Sequence, residues 1–186
     1  MLPILALDVD GVILNFHDHW IQLAQERLGR VLPCQNRSYH FGKRLGLTRE
    51  EYNQCWDYFR EKDGWSTVPE YPGVGETLDL LARRFRLIAV TGIPAEVLDH
   101  RKNNLAHLDL PILEVHATGH RDQTKEVILS RLSAVAFVDD RLHHLHEAAL
   151  AGVPSLFWVD RGDEQERENT IGATRILSLE EILDRI

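Results

Sequence analysis

The stretch that decides the fold is residues 3–11, Pro-Ile-Leu-Ala-Leu-Asp-Val-Asp-Gly. The apolar residues 3–7 predict a fully buried strand, and the Asp8-Val9-Asp10-Gly11 that follows predicts a turn where the strand ends. From Gly73 onward, further apolar strand-like runs alternate with helical patterns, at 86–91, 112–117, 134–138 and 154–159. This alternation predicts an α/β fold, a doubly wound parallel sheet with helices on both faces.

The segment between the first strand and Gly73 has a different pattern. Apolar residues recur there at helical spacing, and Thr48 followed by Glu51 predicts a capping box at a helix start. We therefore expect a core of residues 1–15 and 71–186, with a small α-helical cap of residues 16–70 inserted after the first strand. Residues 160–169 carry many charges and predict a solvated loop, and residues 179–186 predict a closing helix.

Composition limits the class of protein. The 186 residues include 21 Lys and Arg against 29 Asp and Glu, for a net charge of −8, and 44% are hydrophobic. A chain of this length and composition forms one packed domain with at most a small insert, and its acidic balance argues against a nucleic-acid polymer as partner. Asp8 interrupts the first apolar run, which predicts neither a signal peptide nor a membrane span. Two cysteines without a paired Cys-x-x-Cys favour a reduced, cytoplasmic chain.

Polar side chains follow the predicted strands at the edge where α/β sheets bind ligands. They are Asp8 and Asp10 after the first strand, Thr91 and Gly92 after the second, Lys125 at a helix start, and the pair Asp139 and Asp140. Clustered carboxylates repel one another unless a hard cation such as Mg²⁺ lies among them, and a hydroxyl, backbone amides and an ammonium group can hold phosphate oxygens. Asp8 can then attack phosphorus, and Asp10 can protonate the leaving oxygen. Taken singly, the aspartates could form turns, Thr91 could cap a helix and Lys125 could lie on the surface.

In this order and spacing, the motifs resemble those of the haloacid dehalogenase-like (HAD) hydrolase superfamily. The likeness covers residues 1–15 and 71–186, and the Asp139-Asp140-Arg141 motif with a short cap is similar to the 5′(3′)-deoxyribonucleotidase-like branch. The resemblance implies a Rossmann-like core with a mobile cap, Asp8 as nucleophile and Asp10 as general acid and base. It also implies Mg²⁺ held by Asp8, the Asp10 carbonyl and Asp139 with help from Asp140, and a phosphoryl group bound by Thr91, the amides around Gly92, and Lys125.

The sequence therefore predicts a Mg²⁺-dependent phosphomonoesterase that acts on a small soluble phosphate ester, with a nucleotide as one candidate. Because a halide needs no proton to leave, a retained Asp10 favours a phosphatase over a dehalogenase. The alternatives are a phosphoacceptor signalling domain and a non-catalytic HAD-like binding protein.

Histidines and aromatic residues leave two questions open. His143, His146 and Glu147 could hold a transition metal or form a solvated helix face, and His116 and His120 are expected at the surface or in packing. The aromatic residues of the cap predict its own core, and those outside the helical stripes are the better candidates to stack on a substrate ring. The latter are Tyr39, Phe41 and Trp65.

Overall fold

A computed structural model describes residues 2–119, 124–166 and 168–186. Its centre is a sheet of six strands, all parallel, in the order β3-β2-β1-β4-β5-β6. The α/β prediction is confirmed, and the strand order is that of a Rossmann-like sheet. The strands are β1 (Ile4–Leu7), β2 (Arg86–Thr91), β3 (Glu114–Ala117), β4 (Ala136–Asp139), β5 (Ser155–Val159) and β6 (Thr174–Ile176).

In the described residues, seven α-helices surround and extend the sheet. They are α1 (Phe16–Leu28), α2 (Phe41–Arg44), α3 (Arg49–Glu61), α4 (Val74–Ala82), α5 (Leu98–His107), α6 (Lys125–Leu132) and α7 (Leu142–Leu150). Ala95–Val97 and Leu179–Asp184 form 3₁₀ helices. The predicted closing helix is therefore present as the tighter 3₁₀ form. None of the helices in the described part of the chain is both long and apolar enough to cross a membrane.

The sheet has a core on each face because successive strand residues point to opposite sides. Leu5 and Leu7 join one buried cluster, and Ala6 between them joins the other. Helices α6 and α7 cover the second face through residues such as Ile128 and Leu145. Both faces are thus covered, as a doubly wound sheet requires.

Helices α1 to α3 lie between β1 and α4, in the segment 16–70, which we call the helical insert. The capping box is present: the Thr48 hydroxyl accepts from the Glu51 amide and the Glu51 carboxylate accepts from the Thr48 amide. The insert's aromatic residues pack closely, with the Trp20 and Phe41 rings stacked 4.2 Å apart. This packing is continuous with the core on the first face of the sheet.

The loop that follows β5 is partly buried, whereas the sequence predicts a solvated loop. Asp163 is buried and forms an ion pair with Arg44 of α2, and its second oxygen lies 3.4 Å from His17 Nδ1. The Glu164 amide also donates to the Arg37 carbonyl at 2.8 Å. The prediction of a merely solvated loop was wrong because part of this loop binds the helical insert to the core.

Candidate active site

The site lies where the direction of strand addition reverses. Strand β1 pairs with β2 on one side and with β4 on the other, so the carboxyl ends of β1 and β4 border a crevice. Asp8 follows β1 and Asp139 ends β4, and the Asp8 amide donates to the Val138 carbonyl at 2.8 Å. The two carboxylates are therefore held on adjacent strands at the same edge.

Lys125 joins these two carboxylates. Its Nζ lies 3.0 Å from Asp8 Oδ1 and 2.6 Å from Asp139 Oδ2, and its side chain is only 1% exposed. Thr124 caps α6 through its side chain, accepting from the Val127 amide, and so fixes the helix start that carries Lys125. The structure thus brings Asp8 together with two residues that lie more than a hundred positions further along the sequence.

The proximity of these charges shifts their pKa values. Burial raises the pKa of Asp8 to about 6, although the Lys125 ammonium group opposes the rise. Burial would also raise the pKa of Asp139, but Lys125 and His144 together hold it well below the usual range. Burial acts to lower the pKa of Lys125, and the two carboxylates overcome it and raise that pKa. Asp139 and Lys125 therefore form a buried ion pair, and the Asp8 carboxyl group beside it has a raised pKa.

The second half of the Asp139-Asp140 pair lies against the turn after β1. Gly11 has φ of +84°, and a Cβ there would lie 2.4 Å from Asp140 Oδ2, so only glycine allows this close approach. Burial raises the pKa of Asp140 well above its usual value, and the carboxylates of Asp139 and Asp8 raise it further. Three buried carboxyl groups therefore repel one another around a single lysine.

This donor set fits a divalent cation. Oxygen and nitrogen atoms of Asp8, Asp139 and His144 lie within 4.8 Å of one another, close enough to share an ion. The carboxylates of Asp8, Asp139 and Asp140 are the hard oxygen ligands that Mg²⁺ prefers, and a cation would relieve their repulsion.

Strand β2 contributes Thr91 and Gly92. The Thr91 hydroxyl is buried and has no hydrogen-bond partner in the described part of the chain, although such groups are normally paired. An acceptor oxygen of a bound molecule would satisfy it. A Cβ on Gly92 would lie 3.6 Å from the ring of His144, so these two residues are neighbours at the same edge.

Asp10 has a partner that sequence reasoning missed. Arg101 of α5 is completely buried, and its Nη2 donates to Asp10 Oδ1 at 2.7 Å. Its other terminal nitrogen donates to Asn104 Oδ1 at 3.0 Å, and the Asn104 amide donates to the Val68 carbonyl. Burial raises the pKa of Asp10 and Arg101 limits the rise. Arg101 and Asn104 gave no sequence signal beyond polar residues on a short helix.

The structure places a different histidine at the site from those that the sequence analysis selects. His144, which is not among them, lies with its Nδ1 3.2 Å from Asp139 Oδ1. His143 lies beside Glu166, and burial lowers its pKa to about 4. His146 contacts the Glu168 carbonyl, and neither joins a metal-binding group among the described residues.

Of the two histidines expected at the surface or in packing, His116 lies among the described residues. His116 contacts Glu114 at a partly exposed position, which agrees with a place at the surface. His120 lies outside the described residues.

A cavity of about 250 Å³ opens between the helical insert and this edge of the core. From the core, Asp10, Gly92, Ile93 and Pro94 line it. The insert contributes aromatic rings and two histidines: Phe16, His17, Tyr39, His40, Phe41, Tyr52, Trp56 and Trp65. Asp10 thus borders a partly open, mostly aromatic space.

Comparison with known proteins supports the fold. No protein-family model and no curated protein matches the sequence. A haloacid dehalogenase-like hydrolase family protein from Streptococcus pneumoniae superposes with a TM-score of 0.69 at 12% identity, covering 99% of this chain and 98% of that one. A predicted phosphoglycolate phosphatase from Haemophilus somnus gives 0.66 at 16% identity, with 99% and 97% covered. An L-2-haloacid dehalogenase gives 0.66 at 13% identity, with 100% and 99% covered.

These likenesses extend over the whole chain, so the protein has the fold of the HAD-like hydrolases, as the motifs imply. At such low identity the neighbours show the fold alone.

Proposed function

We propose that the protein is a Mg²⁺-dependent phosphomonoesterase that works through an aspartyl-phosphate on Asp8. The observation that carries the proposal is the position of Lys125 Nζ between the buried carboxylates of Asp8 and Asp139. An ammonium group and a nucleophilic carboxylate side by side at a strand edge are suited to phosphoryl transfer, in which positioning and charge stabilisation do most of the work.

In the first step, an oxygen of Asp8 attacks phosphorus and the bond from phosphorus to the ester oxygen breaks. The leaving oxygen takes a proton from Asp10, which lines the cavity where the leaving group would lie. Lys125 and the unpaired Thr91 hydroxyl bind the phosphoryl oxygens in this arrangement.

In the second step, water attacks the phosphorus of the aspartyl-phosphate. Asp10, now ionised, takes a proton from that water, and the bond between phosphorus and Asp8 breaks to release inorganic phosphate. Arg101 keeps the Asp10 carboxylate in place throughout.

Asp8, Asp139 and Asp140, with the Asp10 carbonyl, would hold Mg²⁺, and His144 would orient Asp139. When bound, the cation neutralises charge on the phosphoryl oxygens and favours the ionised form of Asp8. The raised pKa of Asp8 and the repulsion around Asp140 support this role.

Two alternatives make different demands. A dehalogenase expels a halide and needs no acid for that step, whereas a phosphatase has to protonate its leaving oxygen, which Asp10, held by buried Arg101, can do. A signalling domain has to keep its aspartyl-phosphate, whereas Asp10 lies where it would speed hydrolysis. The phosphatase accounts for both Asp10 and Arg101.

The first experiment is hydrolysis of p-nitrophenyl phosphate with Mg²⁺ and with EDTA, by the wild type, Asp8→Asn and Asp79→Asn. Asp79 is exposed on α4, and its variant is the matched control. We expect EDTA to abolish turnover and Asp8→Asn to lower it by at least about 10³-fold, because removal of a catalytic nucleophile has effects of this size or larger.

Turnover that survives Asp8→Asn would overturn the aspartyl-phosphate, and turnover unchanged by EDTA would overturn the metal requirement. A phosphorylated protein that persists after the substrate is removed would support the signalling alternative.

A further inference from the structure

The wall of the cavity beside Asp10 is mostly aromatic. Its aromatic lining comes from every part of the helical insert, and two of its rings, Phe16 and Trp65, are stacked 5.2 Å apart. Tyr39 is partly exposed, but Arg141 packs against its ring at 3.7 Å and fixes it in place. These rings offer flat apolar surfaces of the kind that pack against another aromatic ring.

Positive charge is scarce around this space. Neither lysine nor arginine lines the cavity in the parts of the chain that the structure describes. Arg101 lies behind Trp65, but its charge is paired with Asp10 and its guanidinium also binds Asn104. Arg141, behind Tyr39, is paired with Glu166. Among the residues that the structure describes, a second anionic group on the substrate would therefore find no unpaired lysine or arginine in this wall.

The remaining polar groups of the wall do not change this balance. Burial lowers the pKa of His17, which favours its neutral form, and Asp163 is the carboxylate beside it. His40 stacks on the ring of Tyr52 at 4.9 Å and extends the aromatic surface. Asp10, which is protonated before the first proposed step, supplies no positive charge to a second anion.

Resting on the phosphatase assignment, we propose that the substrates are phosphate monoesters whose alcohol part is an uncharged group carrying a planar aromatic ring. The phosphate would lie at Thr91 and Lys125, and the ring would lie among Phe16, Tyr39 and Trp65. A simple arylmethyl ester and a nucleoside monophosphate share this chemistry. Small esters with a second anionic group, such as phosphoglycolate, are disfavoured by the described part of the same wall.

The test compares kcat/KM for esters that all release an alkyl alcohol, so that leaving-group reactivity does not decide the result. Benzyl phosphate carries a planar ring, cyclohexylmethyl phosphate carries a ring of similar size that is not planar, and phosphoglycolate carries a second anion. We expect benzyl phosphate to exceed cyclohexylmethyl phosphate by about 2- to 10-fold, the factor that aromatic pairing provides. We expect phosphoglycolate to be lower than benzyl phosphate by at least about 100-fold, since its carboxylate is desolvated without a partner. Uridine 5′-monophosphate then distinguishes a nucleotide pocket from one for a simple ring.

Variants locate the preference in the cavity. Trp65→Leu should lower the ratio of benzyl to cyclohexylmethyl kcat/KM to near one, whereas general damage to the site would lower both values together. The pair Tyr52→Leu and Tyr58→Leu provides a matched comparison if Trp65→Leu does not fold. Both tyrosines lie on α3, but Tyr52 lines the cavity and Tyr58 pairs with Glu26 away from it. Only Tyr52→Leu should reduce the ratio.

Each other outcome has a definite meaning. Equal kcat/KM for phosphoglycolate and benzyl phosphate, or for the two uncharged esters, would overturn this proposal and leave the phosphatase intact. An unchanged ratio in both Trp65→Leu and Tyr52→Leu would also overturn it. Absence of hydrolysis with every ester would overturn the phosphatase assignment, and this proposal with it.

Discussion

The strand edge and the helical insert face each other across one cavity, but they are built on different principles. At the strand edge three buried charged groups meet. Lys125 Nζ lies 3.0 Å from Asp8 Oδ1 and 2.6 Å from Asp139 Oδ2. In the insert, many aromatic rings share one packed cluster that is continuous with the core of the sheet. The edge therefore depends strongly on single residues, whereas the insert distributes its stability over many weak contacts that allow its surface to vary.

The largest expected effect is that of Lys125→Met, which tests the strand edge. This variant leaves Asp8 and Asp139 buried without their cation, and removal of one partner from a buried ion pair costs about 3–5 kcal/mol. Urea denaturation without metal should show this loss in the free energy of unfolding, and added Mg²⁺ should restore part of it. Lys102→Met, at an exposed lysine on α5, is the control and should change stability by less than about 0.5 kcal/mol.

If Lys125→Met changed stability no more than Lys102→Met does, the claim that the edge depends on single residues would be wrong. Failure of Mg²⁺ to stabilise the variant would argue against a cation among the carboxylates.

The two regions also differ in how far their sequence reveals them. The edge was predictable because Asp8, Thr91 and Asp139 lie at or directly after the carboxyl end of a buried strand, where the fold determines their location. The helices of the insert were predictable from their periodicity and from the Thr48 capping box. The surface that the insert presents to the cavity was not, because it depends on how three helices pack together.

The contacts that join distant segments were missed for a similar reason. Arg101 and Asp10 are 91 residues apart, and Arg44 and Asp163 are 119 apart. No local pattern marks either pair, and the charges after β5 resemble an ordinary solvated loop. Their partners become visible only when the chain has folded.

Arg44→Met tests the junction between the two regions. It leaves the buried carboxylate of Asp163 with only His17 nearby, and we expect the free energy of unfolding to fall by about 2 kcal/mol, less than at Lys125 because Arg44 is partly exposed. Urea denaturation is the measurement, and Arg49→Met, at an exposed arginine of α3, is the matched control. Equal stability of the two variants would mean that Asp163 does not hold the insert to the core.

The smallest expected effect is that of Thr48→Ala, which tests the insert alone. The substitution removes the hydroxyl that accepts from the Glu51 amide at 3.2 Å, and loss of such a cap costs about 1 kcal/mol. Thr48→Ser keeps the hydroxyl and should be near the wild type. Ser178→Ala changes a helix N-cap whose side chain makes no capping bond, and should also be nearly neutral.

Thr48 has no part in the chemistry we propose. The phosphatase activity of folded Thr48→Ala should therefore stay close to that of the wild type. The ratio of benzyl to cyclohexylmethyl turnover is the sharper measurement, since the cap supports the helix that carries Tyr52 and Trp56 to the cavity. A lower ratio with unchanged turnover of p-nitrophenyl phosphate would show that the insert sets specificity independently of the edge. If the turnover of p-nitrophenyl phosphate fell by the same factor as the ratio, the two regions would instead act as one unit.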